Sequence, residues 1–460
     1  MKIVLISNPP SRRHKPDFPP PGIAYLGGVV INAGHQVKLI DSALYRLDTV
    51  LSITKEFNPD VIGITCWTID RKMVWELCSE IKKKLPNKFL ILGGPHATVF
   101  PEHIFLKTHA SAVALGEGEE TIVELLEALS KNRSIDNVPG LALRKSDNSV
   151  YYTGERRPIE DISSLPFPYY DGFVDFNFSQ YNGFAALPSP TAAVISSRGC
   201  IFDCTYCSSV NFWGKCWRKR SADDVLNEIK WLKEKYDIKS IYFFDDNFPV
   251  DKNRVKAICK GIINNNWKIK WACCSHVNLL NREVLEIMKE SGCVSIDFGV
   301  ESGSNMILQN INKKQKREDI IRIFKIMNDL NMVFRAYLMV GNKGENLSTI
   351  NETIDMFKFF KYQSSIGASI LWLLPGTVVY NEAKVNNYID ENYWLESDDI
   401  PYNLQEHSLE ELKYFRDRLM WGIAKGEKSF SSYIVCVLKI IYYKYPFLSK
   451  FRNIIPRKFH

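Results

Sequence analysis

The chain has 460 residues, 45% of them hydrophobic and 24% charged, with a formal net charge of +7. That make-up suits a globular protein of two or three domains and excludes a disordered or fibrous one. The surplus charge sits in residues 428–460, with seven Lys or Arg and no acid, which excludes a general nucleic-acid-binding surface.

The opening MKIVLISNPP is too short for an export signal and reads as a first strand. Further strands are predicted at residues 36–41, 60–67, 88–94 and 111–117, with helical patterns between and after them. Short buried runs alternating with helices predict a doubly wound parallel sheet. Ligands on such sheets sit at the carboxyl ends of the strands. Those ends carry Thr65, Gly93, Gly94 and His96 in GGPHAT, and Gly116 and Glu117 in ALGEGEE. No GxGxxG follows the first strand and no GxxxxGK[ST] occurs, which speaks against a dinucleotide or a nucleoside triphosphate. A hairpin at 140–154 ends this domain (1–154), and Pro- and aromatic-rich residues 155–190 read as a connector.

From 191 to 380 a second alternation begins, with strands predicted at TAAVISS, SIYFFDD, KWACCSH, VSIDFGVES, FRAYLMVG and SILWLLPG. Six βα-type repeats suggest a full or partial barrel with its chemistry at the strand carboxyl ends. Ser221 with Asp224 signals a helix start. Residues 381–460 read as helices and loops.

The loop after the first barrel strand, SSRGCIFDCTYCSS, places Cys200, Cys204 and Cys207 within eight positions. A structural zinc site wants four ligands, usually as two C-x₂-C pairs. Clusters of iron and sulfur are held by closely spaced thiolates, and three ligands leave one iron open for a reacting molecule. The plainer alternative is a buried helix face, which Gly199 before the run and Asp203 within it oppose. The eleven cysteines, without an export signal, point to the reducing cytoplasm. The other eight form no second ligand set and read mostly as core residues.

C-x₃-C-x₂-C with Tyr206 before the last cysteine resembles the radical S-adenosylmethionine (radical SAM) superfamily. The resemblance implies a [4Fe-4S] cluster whose open iron is chelated by S-adenosylmethionine. It also implies one-electron cleavage to a 5′-deoxyadenosyl radical, which abstracts hydrogen from unactivated carbon. FFDDNF, FGVESGSN and LMVGNKGEN resemble later barrel segments of the family. They imply SAM contacts from Tyr206, Asp245, Asp246, Glu301 and Gly341. The plainer, less favoured alternatives are helix caps for Asp245 and Asp246, a strand-end carboxylate for Glu301 and a turn for Gly341.

The front region is similar to the cobalamin-binding domain fused ahead of many members. The implied architecture is α/β: a Rossmann/flavodoxin-like cobalamin-binding sheet, a partial (β/α)6 TIM-type barrel and a helical C-terminal region. Cobalamin contacts are then implied at Thr65, Gly93, Gly94, His96, Gly116 and Glu117. The family's Asp-x-His-x-x-Gly is missing; only His14 follows the first strand, which implies cobalt held without a protein histidine. Another ligand for this sheet, or none, stays open.

The implied activity is methylation of an unactivated carbon of a small-molecule or lipid substrate. One SAM methylates reduced cobalamin and a second yields the radical. An external flavodoxin- or ferredoxin-type donor and anaerobic conditions follow from this chemistry. Alternatives are a cobalamin-dependent cyclisation or rearrangement, or a non-catalytic iron–sulfur or cobalamin-binding protein. The expected location is cytoplasmic. The basic, aromatic tail either packs on the barrel or lies on the inner membrane surface.

Overall fold

A computed structural model of the chain describes every residue except 11–14, 146, 148, 185, 361–364, 391, 398 and 427–460. His14, Cys436 and the basic tail therefore lie outside the described residues. The chain divides into two compact units. The first comprises Met1–Ile201, Ser208–Asp246 and residues 392–397; the second comprises Phe202–Cys207, Asn247–Glu391 and the described residues from Asp399 onward.

In the first unit β1 (Lys2–Ile6), β2 (Gln36–Ile40), β3 (Val61–Thr65), β4 (Phe89–Gly93), β5 (Ala112–Ala114), β6 (Leu141–Arg144) and β7 (Val150–Tyr152) form one sheet. Its order is β2-β1-β3-β4-β5-β6-β7. The first five strands run parallel, and β6 and β7 add an antiparallel hairpin. Val4, Ile6, Ile62, Leu92 and Val113 are fully buried, as expected for strands covered on both faces. Parallel register pairs Ile6 with Ile40 and Ile64, and Thr65 with Gly93, which lines up the carboxyl ends.

The strand expected over 111–117 shortens to three residues. Leu115 N already donates to Gly140 O, and Gly116 turns at φ +68°. The connector forms single turns only, at Ile162–Ser164, Tyr170–Gly172 and Phe178–Gln180. Part of it covers the β2 edge: Phe173 bridges to Leu39, and Val174 N donates to Leu39 O at 3.1 Å.

The same unit continues with β8 (Thr191–Val194), β9 (Ser197–Arg198), β10 (Arg218–Lys219) and β11 (Ser240–Phe243). β8 and β11 are parallel neighbours, and β9 pairs antiparallel with β10. Ser221 caps helix Ala222–Tyr236 by accepting from Asp224 N.

The second unit holds four parallel strands in chain order: β12 (Lys270–Ser275), β13 (Cys293–Glu301), β14 (Val333–Val340) and β15 (Ser365–Ile370). Helices Lys252–Asn264, Arg282–Glu290, Arg317–Asp329 and Leu347–Phe357 alternate with them. Phe298 and Phe334 pack on Phe324 of the third helix, at 5.3 and 4.0 Å between ring centres. The opposite face carries Cys274, Asp297 and Arg335 in register, and Tyr337 two residues on.

Two expectations shift. β15 begins and ends earlier than SILWLLPG suggests. Leu371 and Leu373 are buried in the loop beyond it, bonded through their N–H groups to Val340 O and Pro401 O. The helix after β11 is capped by Asp251, not by Asp245 or Asp246. Helices Val378–Val385, Tyr393–Glu396 and Leu409–Gly426 make up the described C-terminal region. No described helix is long and apolar enough to cross a membrane.

Candidate functional site

The cysteine loop begins from a tightly fixed strand end. Asp245 accepts from Ser196 N at 2.7 Å, Ser196 Oγ at 2.6 Å and Ser197 Oγ at 2.6 Å. Gly199 follows at φ +85°, where a Cβ would lie 2.0 Å from Cys216 O. Only glycine fits there. None of the ten described cysteines is in a disulfide, and Cys200, Cys204 and Cys207 are all half-buried. Among the described residues no three His, Cys, Asp or Glu side chains gather as they would around a single ion.

In the second unit residues 202–207 rest on the loop after helix Asn305–Asn310. Thr205 N donates to Ile311 O at 3.1 Å, and Asn312 Nδ2 donates to Asp203 Oδ1 at 2.6 Å. Phe202 stacks on His276 at 4.0 Å, and His276 Nε2 donates to Lys313 O at 2.8 Å. Burial lowers this imidazole to about 4, which keeps it neutral.

Tyr206, Glu301 and Lys313 form a closed triangle. The Tyr206 hydroxyl donates to Glu301 Oε1 at 2.8 Å. Lys313 Nζ donates to the Tyr206 hydroxyl at 3.0 Å and to Glu301 at 3.2 Å. Burial works against the Lys313 charge, but Glu301 and the thiols of Cys204 and Cys207 outweigh it and hold the pKa above its ordinary value. Burial and Glu301 push the Tyr206 phenol far up. Glu301 has φ +63°, at an irregularity where β13 shifts register against β14. Such strained carboxylates cluster at functional sites.

Asp246 accepts from Ser209 Oγ at 2.6 Å, and burial followed by the Asp245 charge raises its carboxyl. Gly341 turns at φ +94°. Its N–H and that of Asn342 donate to Glu345, which burial pushes up to about 7. Asn403 Nδ2 donates to Gly341 O at 2.9 Å.

At the front sheet Thr65, Gly93, Gly94 and Gly116 come together at the carboxyl edge. A Cβ on Gly94, at φ +93°, would lie 2.9 Å from Thr65 Cγ2. Gly116 N donates to Thr98 Oγ1 at 3.0 Å, and a Cβ on Gly116 would meet nothing within 4 Å.

Two expected contacts are placed differently. His96 is fully buried, with its ring against Phe100 and His103. Burial lowers it to about 3, which keeps the ring neutral. Glu117 bonds Arg198, Arg218 and Ile159 N. Burial would raise its carboxyl, but Arg218 and Arg198 hold it below the usual range.

The residues fit the groups that the sequence implies. The half-buried thiols of Cys204 and Cys207 beside a protonated Lys313 suit an anionic cluster. The glycine-ended edge leaves open space at Gly116. Buried Arg218 Nε and Nη2 have no hydrogen-bond partner among the described residues and could take up an acceptor. Lys313, Arg198 and Arg218 were not legible as site residues. Lys313 lies among Lys314 and Lys316 in INKKQK, and nothing local marks it.

The Radical SAM superfamily model matches residues 194–357, and the B12 binding domain model matches residues 12–126. An uncharacterized methyltransferase of Pyrococcus horikoshii is 32% identical, over 86% of this chain and 85% of its own length. Cytidylyl-2-hydroxyethylphosphonate methyltransferase of Streptomyces wedmorensis is 26% identical, over 80% of each chain. Among solved structures, the radical SAM methyltransferase TsrM of Kitasatospora setae, with tryptophan and a SAM analogue bound, superposes with a TM-score of 0.69. It does so at 18% identity, over 83% of this chain and 76% of that one, a likeness of fold.

Proposed function

The chain belongs to the radical SAM superfamily, in the group whose barrel follows a B12-binding domain, and on that premise we propose methyl transfer to an unactivated carbon of a polar small molecule. It is a radical SAM methyltransferase with an iron–sulfur cluster, S-adenosylmethionine and cobalamin as cofactors. When bound, these supply one-electron sulfonium cleavage and carriage of the methyl group.

The observation that carries the reading is the half-buried three-thiol loop, whose Tyr206 closes a charged triangle with Glu301 and Lys313. Cys200, Cys204 and Cys207 hold the cluster. Lys313 offsets its negative charge. Tyr206, Asp245, Asp246, Glu301 and Gly341 position S-adenosylmethionine. Thr65, Gly93, Gly94 and Gly116 let cobalamin approach the sheet backbone, and Glu117 acts behind them through its arginines.

A polar substrate is favoured by the barrel-strand face turned away from the helices. There Arg335 Nε donates to the buried Asp297 Oδ1 at 2.6 Å, and Tyr337 is 45% exposed. A lipid tail against this face would desolvate a charged pair with nothing polar in return. The electron comes from an external flavodoxin- or ferredoxin-type donor. The enzyme works in the cytoplasm.

The test is anaerobic turnover of the cluster-loaded, cobalamin-loaded chain with candidate polar acceptors. S-adenosylhomocysteine and 5′-deoxyadenosine should form in equal amounts with a methylated product. Deoxyadenosine without S-adenosylhomocysteine would overturn methyl transfer in favour of rearrangement.

A further inference from the structure

A buried set of ion pairs joins the carboxyl edge of the front sheet to the strand that leads into the cysteine loop. Arg198 stands on β9, two residues before Cys200, with a side chain 5% exposed. Its Nη1 donates to Glu117 Oε1 at 2.7 Å and its Nη2 to Glu119 Oε1 at 2.5 Å. Glu117 stands in the turn that follows β5, directly after Gly116 at the open edge, and Glu119 opens the helix Glu119–Ser130.

The second oxygen of Glu117 accepts from Arg218 Nη1 at 2.7 Å and from Ile159 N at 2.8 Å. Arg218 Nη1 also donates to Ile159 O at 2.6 Å. Arg218 and Arg198 are register partners in the β9–β10 pair, so the two guanidiniums are tied through backbone as well as through Glu117. Two arginines and two glutamates make the set electrically closed.

A guanidinium forked between two carboxylates fixes direction in a way an ammonium cannot. Buried pairs of this kind add little net stability over apolar packing, so a role in holding geometry accounts for them better. The set also has an open end. Arg218 Nε and Nη2 are buried with no partner among the described residues. An acceptor that reached these atoms would pull on the same Glu117 that holds Arg198. On the other side Gly199, at φ +85°, runs so close to Cys216 O that no side chain fits between them.

We propose that this network couples the two cofactor sites: cobalamin in the front cleft orders Glu117 and, through Arg198, the backbone that presents Cys200, and the cluster in turn tightens cobalamin binding. The inference rests on the cofactor assignment above and adds to it a positioning role for Arg198, Glu119 and Arg218. Such coupling is reciprocal by linkage.

The test measures hydroxocobalamin affinity anaerobically, by absorbance titration of the full chain with its cluster loaded and with it stripped. In the wild type the loaded chain should bind about tenfold more tightly, within the range usual for coupled sites. In Arg198→Lys both forms should still bind and the ratio should fall to about one, as coupling vanishes. Glu119→Gln, which alters the Arg198 pair alone, should do the same and serves if Arg198→Lys fails to take up a cluster. The electron paramagnetic resonance spectrum of the reduced cluster should respond to hydroxocobalamin in the wild type and not in the variants.

A merely structural role would lower thermal stability and both affinities together and leave the ratio unchanged; that result overturns the proposal, as does a wild-type ratio of one. A wild-type chain that takes up its cluster but binds no hydroxocobalamin overturns the cobalamin assignment itself, and the coupling with it.

Discussion

The carboxyl edge of the front sheet and the surroundings of the cysteine loop prepare for their cofactors by opposite means. At Gly93, Gly94 and Gly116 side chains are withheld, so that the backbone is bare, and at Gly116 open space remains. Around residues 202–207 charge is brought in and buried: Glu301 and Lys313 have side chains only 10% and 11% exposed and lie 3.2 Å apart. The first arrangement recognises by shape and tolerates changes of pH and salt. The second recognises by field, and depends on each charge keeping its partner.

The sharpest break in that comparison comes from one substitution in each region. Cys204→Ala should abolish cluster absorbance and deoxyadenosine formation while the chain still takes up hydroxocobalamin. Gly116→Trp should fill the open edge and abolish hydroxocobalamin uptake while the cluster still assembles. If either variant loses both cofactors with its fold intact by circular dichroism, the two sites are not separable in this way.

Next in size is the charged triangle. Lys313→Met strands the buried Glu301 carboxylate and should destabilise the cluster-free protein by about 3–5 kcal/mol in denaturant unfolding. The double variant Lys313→Met/Glu301→Gln should recover most of that loss. No recovery would mean that the methylene stem, not the charge, carries the effect.

The smallest effect concerns Glu345, whose folded pKa of about 7 lies above its ordinary 4.5. The folded state therefore binds more protons than the unfolded one between these values. Stability from this group is fully present below about 4.5 and is lost as pH rises through about 7, some ~3 kcal/mol in all. Glu345→Gln keeps an acceptor for Gly341 N and should flatten that slope in melts between pH 5 and 8. An unchanged slope would place the titration elsewhere.

Legibility divided along the same line. Glycines at strand ends and thiols at C-x₃-C-x₂-C are local patterns, and both stood out in the sequence. The alternation of strands and helices, the hairpin and the Ser221 cap did too, because each rests on neighbours in the chain. Lys313 was hidden because its partners Tyr206 and Glu301 are remote and its own setting is a run of lysines. Arg198 and Arg218 were hidden for the same reason, with Glu117 and Glu119 about eighty or more residues away. His96 was misplaced because a histidine in a glycine-rich loop looks exposed, whereas Phe100 and His103 enclose it. The sixth barrel strand was misjudged because hydrophobicity reports burial, not pairing. Leu371 and Leu373 are buried without belonging to the strand.

The contact of Phe173 and Val174 with Leu39 has a bearing on how this protein can be cut. A cobalamin-binding fragment ending at Gly154, the natural cut by sequence, would strip the cover from β2. Its row of backbone donors and acceptors would then be a template for a second molecule. Such a fragment should aggregate or dimerise through that edge, whereas one extended beyond Val174 keeps its own cap.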